Sequence, residues 1–223
     1  MITKNNKFIS LDYKKHSLTE ITKNSLNFYS EIDKRRSIRD FSTKDIPKEI
    51  IENIIKTASS APSGAHKQPW TFCAISNSEI KKEIRIAAEK EEKLNYEKRM
   101  SESWLKDLEP FDTDWQKPML EDAPWLIVVF MKTFDIKNTE KHRNYYVKES
   151  IGLATGFLLA AIHQAGLCSL THTPSPMGFL QEVLKRPKNE KAFLLIPVGF
   201  PIENCQVPDI ERKPLDEISV FFE

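Results

Sequence analysis

Arg35-Arg36-Ser37-Ile38-Arg39 places three arginines and a serine within five positions. Guanidinium groups and a hydroxyl at that density suit a phosphate, which accepts several charge-assisted hydrogen bonds at once. Downstream runs Ser60-Ala61-Pro62-Ser63-Gly64-Ala65-His66-Lys67-Gln68-Pro69-Trp70. Its small residues let backbone N–H groups approach a flat ligand, because no bulky side chain stands in the way. Together the two stretches point to a phosphorylated, planar cofactor, and flavin mononucleotide (FMN) is the leading candidate. Taken alone, the arginine cluster equally describes a solvated basic turn. The loop, and Arg212 far downstream, tip the reading toward phosphate.

A second set of residues lies between Glu89 and Met119. Glu89 to Ser103 is nearly all polar, and Trp104, Leu105, Leu108, Phe111, Trp115 and Met119 then lie among acids and lysines. That mixture suits a cover closing over a ligand, although composition equally allows a plain surface excursion. Glu92 and Tyr96 are four apart and so share a helix face. On composition alone these two and Lys117 read as an exposed charged helix and a loop lysine. Trp104 and Trp115 read as packing residues of the cover. His66 and His172 read as satisfied or surface histidines. Thr173 reads as a strand-end turn residue before Pro174.

The elements that must position these residues follow from periodicity. Ser17 and Glu20 form a capping-box pattern ahead of Leu18, Ile21, Tyr29 and Ile32 at helical spacing. Ile46-Pro47 opens a second helix, with Ile50, Ile51, Ile54, Ile55 and Ala58 on one face. Trp70 to Ile75 is a buried strand, and Asn77-Ser78-Glu79 starts another helix. Trp125 to Met131 is a second strand. Tyr145 to Ala165 is a long, weakly charged helix, expected to be buried on most sides and stopped by Gly166. Leu167 to Thr173, Ala192 to Val198 and Ser219 to Phe222 are further expected strands, with a short helix over Met177 to Leu184. The order predicts an α+β or α/β fold with one core.

The remaining bounds are mostly exclusions. The 223 residues carry 33 basic and 32 acidic side chains, a formal charge of +1, which argues against a nucleic-acid binder. Cys73, Cys168 and Cys205 make no Cys-x-x-Cys pair, and an odd count disfavours a disulfide framework. The scattered histidines offer no metal site. Met1 to Lys7 leads into no apolar signal core, and the longest apolar runs are strand-length. A cytoplasmic protein without a membrane anchor is the expectation.

The arginine cluster, the Ser59-Ala61-Pro62-Ser63 loop with Gln68-Pro69-Trp70, and Pro197-Val198-Gly199-Phe200-Pro201 resemble the nitroreductase-like flavoprotein superfamily. Ser63-Gly64-Ala65-His66, Glu92 to Met100, Trp115-Gln116-Lys117, Thr171-His172-Thr173-Pro174 and Arg212-Lys213-Pro214-Leu215-Asp216 resemble its iodotyrosine deiodinase branch, over nearly all the chain after about residue 20. The resemblance implies an α+β nitroreductase-like fold: a central mixed β-sheet flanked by helices, in an intertwined homodimer with extended termini. It implies a single FMN-binding domain over 1–223, a lid at about 89–120 and a C-terminal arm at about 207–223. Arg35, Arg36, Ser37 and Arg39 match the residues that hold the FMN phosphate and pyrimidine side, and Arg212 matches a C-terminal phosphate contact. Pro62, Ser63 and Gly64 match the loop beside the flavin, usually supplied by the partner subunit. Thr171, His172 and Thr173 match the strand end beside the isoalloxazine, with Thr173 facing N5; His172 stands where a threonine is common. Glu92, Tyr96 and Lys117 match lid residues that grip the amino-acid end of a halotyrosine. Ala65 matches the residue whose backbone N–H meets the phenolate.

The residue types agree with that chemistry. A carboxylate, a phenol and an ammonium are what a zwitterion needs, and a backbone donor serves a phenolate without adding a competing charge. The activity implied is FMN-dependent reductive dehalogenation of iodo-, bromo- or chlorotyrosine, with electrons from NAD(P)H directly or through a reductase. The alternative is a general NAD(P)H-dependent nitro or quinone reductase on the same fold, which has no use for an ammonium partner. Arg36→Ala is expected to weaken FMN retention at least tenfold, since a charge-assisted hydrogen bond is worth on the order of 1.5–3 kcal/mol. Flavin absorbance after dialysis measures it.

Overall fold

The computed structural model describes residues 8–223 and divides the chain into two compact units at Lys34/Arg35. In the first, helix α1 (Leu18–Asp33) opens on the expected capping box. Ser17 Oγ accepts from the Glu20 N–H at 3.3 Å, and the Ser17 N–H donates to Glu20 Oε2 at 2.8 Å. Two of the N–H groups that a helix start leaves unpaired are satisfied this way.

The second unit is built on a four-stranded sheet in the order β1 (Trp70–Ile75), β2 (Trp125–Lys132), β6 (Glu190–Gly199), β5 (Cys168–Ser169). These strands pair antiparallel, and a parallel bridge joins Ser37 to Ser169 at the β5 edge. Leu126 to Phe130 of β2 are fully buried because both faces of the sheet are covered. Alternation along the strand sorts the side chains. Ile127 and Val129 meet helices α2 (Lys48–Ser59) and α6 (Val147–Gln164), whereas Leu126, Val128 and Phe130 meet α3 (Ser78–Leu94) and α7 (Gly178–Val183).

Helix α2 buries Ile51, Ile54 and Ala58, as its spacing requires, and leaves Ile50 exposed. Helix α6 ends in a Schellman turn: the Gly166 N–H donates to His163 O at 2.9 Å and the Leu167 N–H to Ile162 O at 3.0 Å. Gly166 adopts φ +77°, a left-handed conformation that costs glycine little.

Three expectations change. Helix α6 is buried along one side only, with Leu153 and Phe157 exposed on the other. The expected strand over Leu167 to Thr173 shortens to Cys168–Ser169, continued by a single bridge between His172 and Leu195. Ser219 to Phe222 forms no strand; the tail instead turns once as α8 (Leu215–Ile218), because it has no neighbouring strand within the chain to pair with. A hairpin of β3 (Phe134–Lys137) and β4 (Glu140–Arg143) was not foreseen, since Glu140–Arg143 is polar and exposed and lacks the usual alternation. Among the described residues no helix is long and apolar enough to cross a membrane.

Candidate functional site

The arginine cluster is laid along the sheet edge by backbone bonds. Beside the Ser37–Ser169 bridge, the Ile38 N–H donates to Ser169 O at 3.2 Å, and Phe41 bridges to Pro201. Ile38 and Phe41 point into a small core with Met119, Ala123 and Leu170, so the arginines between and before them face outward. Arg35, Arg36, Ser37, Arg39 and Arg212 line one cleft, together with Phe111 and Glu211. Arg212 Nη2 donates to the Arg35 carbonyl at 3.0 Å, and Arg36 Nη2 donates to the Pro208 carbonyl. The C-terminal segment is thereby tied to the cluster 177 positions away. Burial, then the positive charges of Arg212 and Arg36, lower the Arg35 pKa. A cationic cleft in which like charges already disfavour one another is one an anion relieves.

Arg39 also lines a second cleft, shared with Glu92, Tyr96, Lys117, Thr171, His172 and Thr173. Its guanidinium lies 5.4 Å from the Phe111 ring centre, and burial lowers its pKa as well. Segments far apart in the chain meet here for identifiable reasons. Helix α3 reaches Leu94 and passes into one wide π turn, Asn95–Arg99, closed by the Met100 N–H donating to Asn95 O at 2.9 Å. Asn95 Nδ2 donates to the Ser175 carbonyl at 2.8 Å, which ties this turn to the segment after Thr173. After α4 (Glu102–Leu108) the chain returns to α5 (Met119–Asp122), carrying Lys117 back against α3.

The carboxylate and the ammonium are almost sealed from water. Glu92 Oε2 and Lys117 Nζ are 3.9 Å apart, with side-chain exposures of 8% and 4%. Lys117 Nζ also donates to Thr113 Oγ1 at 3.2 Å and to the Asp114 carbonyl, and lies 5.6 Å from the Tyr96 ring centre. Tyr96 donates its hydroxyl to Thr113 O at 3.1 Å. Burial raises the Glu92 pKa against the pull of Lys117 and lowers that of Lys117 against the pull of Glu92. Desolvation therefore outweighs mutual attraction on both sides of the pair, as buried ion pairs commonly show. A ligand bearing both an ammonium and a carboxylate supplies each group with a closer counter-charge.

The loop behaves differently. Ala65, His66 and Gln68 all take positive φ (49°, 53° and 47°), and Gly64 packs so closely that an added Cβ would meet Tyr146 Cδ2 at 2.8 Å. The Gly64 N–H donates to Ser150 Oγ at 3.2 Å, docking the loop on the start of α6. Pro62, Ser63, Gly64 and Ala65 line neither cleft of their own chain. Other lining residues escaped the sequence reading: Met100, Thr113 and Leu170 in the second cleft, Pro208, Ile210 and Glu211 in the first. All but Glu211 are apolar or neutral, and a single glutamate in the tail carries no signal of a site.

Residues 32–200 match the family model described as Nitroreductase family. An iodotyrosine deiodinase from Haliscomenobacter hydrossis is 58% identical over 204 residues, 91% of this chain and 92% of that protein. The chain belongs to the nitroreductase family, among the iodotyrosine deiodinases. The deiodinase of Hydra vulgaris is 46% identical over 97% of this chain and 80% of its own length. A crystal structure of oxidized iodotyrosine deiodinase bound to FMN and 3-iodo-L-tyrosine matches with a TM-score of 0.74 and 28% identity, covering 87% of this chain and 100% of that one.

His172 is the unusual member of the second cleft. Its Nε2 is buried without a hydrogen-bond partner. Burial first, then the charges of Lys117 and Arg39, lower its pKa from 6.5 to about 3. Above pH 6.5 the imidazole is neutral whether the chain is folded or not. Between 6.5 and about 3 the unfolded chain takes up a proton that the folded one refuses. Stability is therefore lost as pH falls through that window, by at most about 1.4 kcal/mol per pH unit from this group. His172→Gln is expected to flatten that part of the profile in urea unfolding; an unchanged slope would show that the imidazole titrates freely in the fold.

Proposed function

We propose that this chain dehalogenates halotyrosines reductively with FMN, converting the carbon–halogen bond to carbon–hydrogen with release of halide. The observation that carries the reading is the sealed Glu92–Lys117 pair beside Tyr96, in the cleft that Thr171 and Thr173 also line. The mutually repelling cations of the first cleft fit a phosphate group, and Arg39 joins that cleft to the second. Bound FMN supplies, one at a time, the two electrons that with a proton replace halide by hydrogen.

The protein's own groups divide the remaining work. Arg35, Arg36, Ser37 and Arg212 hold the phosphate end, and Arg39 the pyrimidine side. Glu92 accepts from the substrate ammonium, while Lys117 and Tyr96 donate to its carboxylate. Holding the amino-acid end fixes the ring against the flavin and excludes water. The Thr173 hydroxyl, which lines the same cleft, would donate to the flavin edge and so favour single-electron steps over hydride transfer. The Ala65 N–H donates to the phenolate, and His172 stays neutral beside the cofactor. Residues 89–120 serve as the lid and 207–223 as the arm beside the phosphate, within one FMN domain over 1–223.

A homodimer completes this arrangement. Pro62 to Ala65 line neither cleft of their own chain, and Leu153 and Phe157 leave an apolar face on α6 exposed. Both features support a second subunit that brings its loop to the flavin. Light scattering of flavin-loaded protein at low micromolar concentration is expected to give twice the chain mass; a loaded monomer would refute the shared site. Three unpaired cysteines support a reducing, cytoplasmic setting. Electrons come from NAD(P)H, directly or through a reductase, and reduction by dithionite makes the following test independent of the donor.

Glu92→Gln removes the charge opposite the ammonium and keeps the shape. A partly desolvated charged hydrogen bond is worth roughly 2–3 kcal/mol, so affinity for 3-iodotyrosine is expected to fall about thirty- to a hundredfold, with FMN content unchanged. Thr173→Ala is expected to spare binding and slow dehalogenation, while hydride-type reduction of a nitroaromatic survives. Anaerobic turnover of both substrates, with binding measured by flavin fluorescence, separates the two effects. Parent-like binding of iodotyrosine by Glu92→Gln would overturn the clamp in favour of a general reductase.

A further inference from the structure

Lys81, Arg85, Glu89 and Glu92 fall on one stripe of α3, at spacings of four, four and three. The segment returning from α4 to β2 lies along that stripe, contact by contact. Lys81 Nζ donates to the Glu121 and Ala123 carbonyls, each at 2.7 Å, at the C-terminal end of α5. Arg85 Nη1 reaches Glu121 Oε1 at 3.2 Å, and Arg85 Nε reaches Glu89 Oε1 at 2.8 Å. That same Glu89 oxygen accepts the backbone N–H of Lys117 at 2.7 Å. One turn further, Glu92 faces the Lys117 ammonium.

Lys117 precedes Pro118 and α5, outside any helix or strand, so no intrahelical bond fixes its N–H. A lysine side chain has a long, rotatable stem, and its ammonium stands where its backbone lets it. The carboxylate of Glu89 holds that backbone on the helix that carries Glu92. The separation of the two charged groups therefore draws on a third residue, which holds the Lys117 backbone and also places its own negative charge near the ammonium.

We propose that Glu89 is a positioning residue, which fixes Lys117 opposite Glu92 and so sets the spacing of the two charges that grip the amino-acid end of the substrate. The proposal rests on the halotyrosine reading above. Arg85 orients the Glu89 carboxylate, and Lys81 and Arg85 hold the far end of the same segment. Glutamine at 89 keeps an acceptor for the Lys117 N–H; alanine does not.

The test uses flavin-loaded protein with parent, Glu89→Ala, Glu89→Gln, Lys117→Met and the Glu89→Ala/Lys117→Met double variant. Dissociation constants for 3-iodotyrosine and for 2-iodophenol come from flavin fluorescence, and FMN content from absorbance. Glu89→Ala is expected to weaken iodotyrosine binding roughly tenfold, while 2-iodophenol binding and FMN content stay within about twofold. Glu89→Gln is expected to recover most of the loss. In the Lys117→Met background Glu89→Ala is expected to change nothing further, because the group it positions is gone. Equal losses for both ligands, a loss of FMN, or full additivity in the double variant would make Glu89 a mere support of the fold and overturn the proposal. Lys117→Met that binds iodotyrosine like the parent would overturn the clamp and this proposal with it. Weak binding by Lys117→Met beside parent-like binding by Glu89→Ala would overturn the positioning role alone.

Discussion

A carboxylate and an ammonium held 3.9 Å apart, each with less than a tenth of its side chain in water, form the interaction on which the site depends. Neither gains enough from the other to offset lost hydration, and each is driven toward its neutral form. Such a pair persists only where the surroundings over-determine its position. Here they do so through a helix that carries one charge, a neighbouring carboxylate that holds the backbone of the other, and the Asp114 carbonyl and Thr113 hydroxyl on the ammonium. The same strain makes the pair receptive to a molecule that offers both counter-charges at once.

The sheet makes this possible by being buried on both faces. β2 and β6 are filled from one side by α2 and α6 and from the other by α3 and α7, so the elements that carry polar side chains sit on a stiff base. The two clefts lie beyond the β5 edge, where the sheet runs out into the segment from Leu170 to Thr173. There the backbone is held by single bridges, Ser37 to Ser169 and His172 to Leu195, which leaves Thr171 and Thr173 exposed to the cleft. Arg39 lines both clefts.

Much of this architecture was legible from residue order. The capping box at Ser17, the apolar face of α2, the strand at Trp70 and the central strand at Trp125 each follow from local pattern and lie where pattern places them. The expected strand through Thr173 did not, because Pro197 of β6 accepts from the Leu170 N–H but has no N–H to return, so the ladder breaks there and resumes only at His172 and Leu195. The β3–β4 hairpin shows the converse. The polar, exposed residues of β4 pair with β3 because a tight turn with left-handed Asn138 and Thr139 brings the two strands together, without apolar alternation in β4.

Local sequence thus determined where the main helices and the strands at Trp70, Trp125 and Ala192 lie, and that the cluster from Arg35 to Arg39 has the chemistry of phosphate binding. It determined this because capping, periodicity and side-chain functional groups are properties of short stretches. Tertiary structure alone decided that Glu92 and Lys117, read from composition as solvated surface charges, are buried against each other. It decided that Arg212 meets the Arg35 backbone across the length of the second unit, and that Glu89 holds the lysine from below. Burial and mutual approach are set by how remote segments pack, and no residue carries that information by itself.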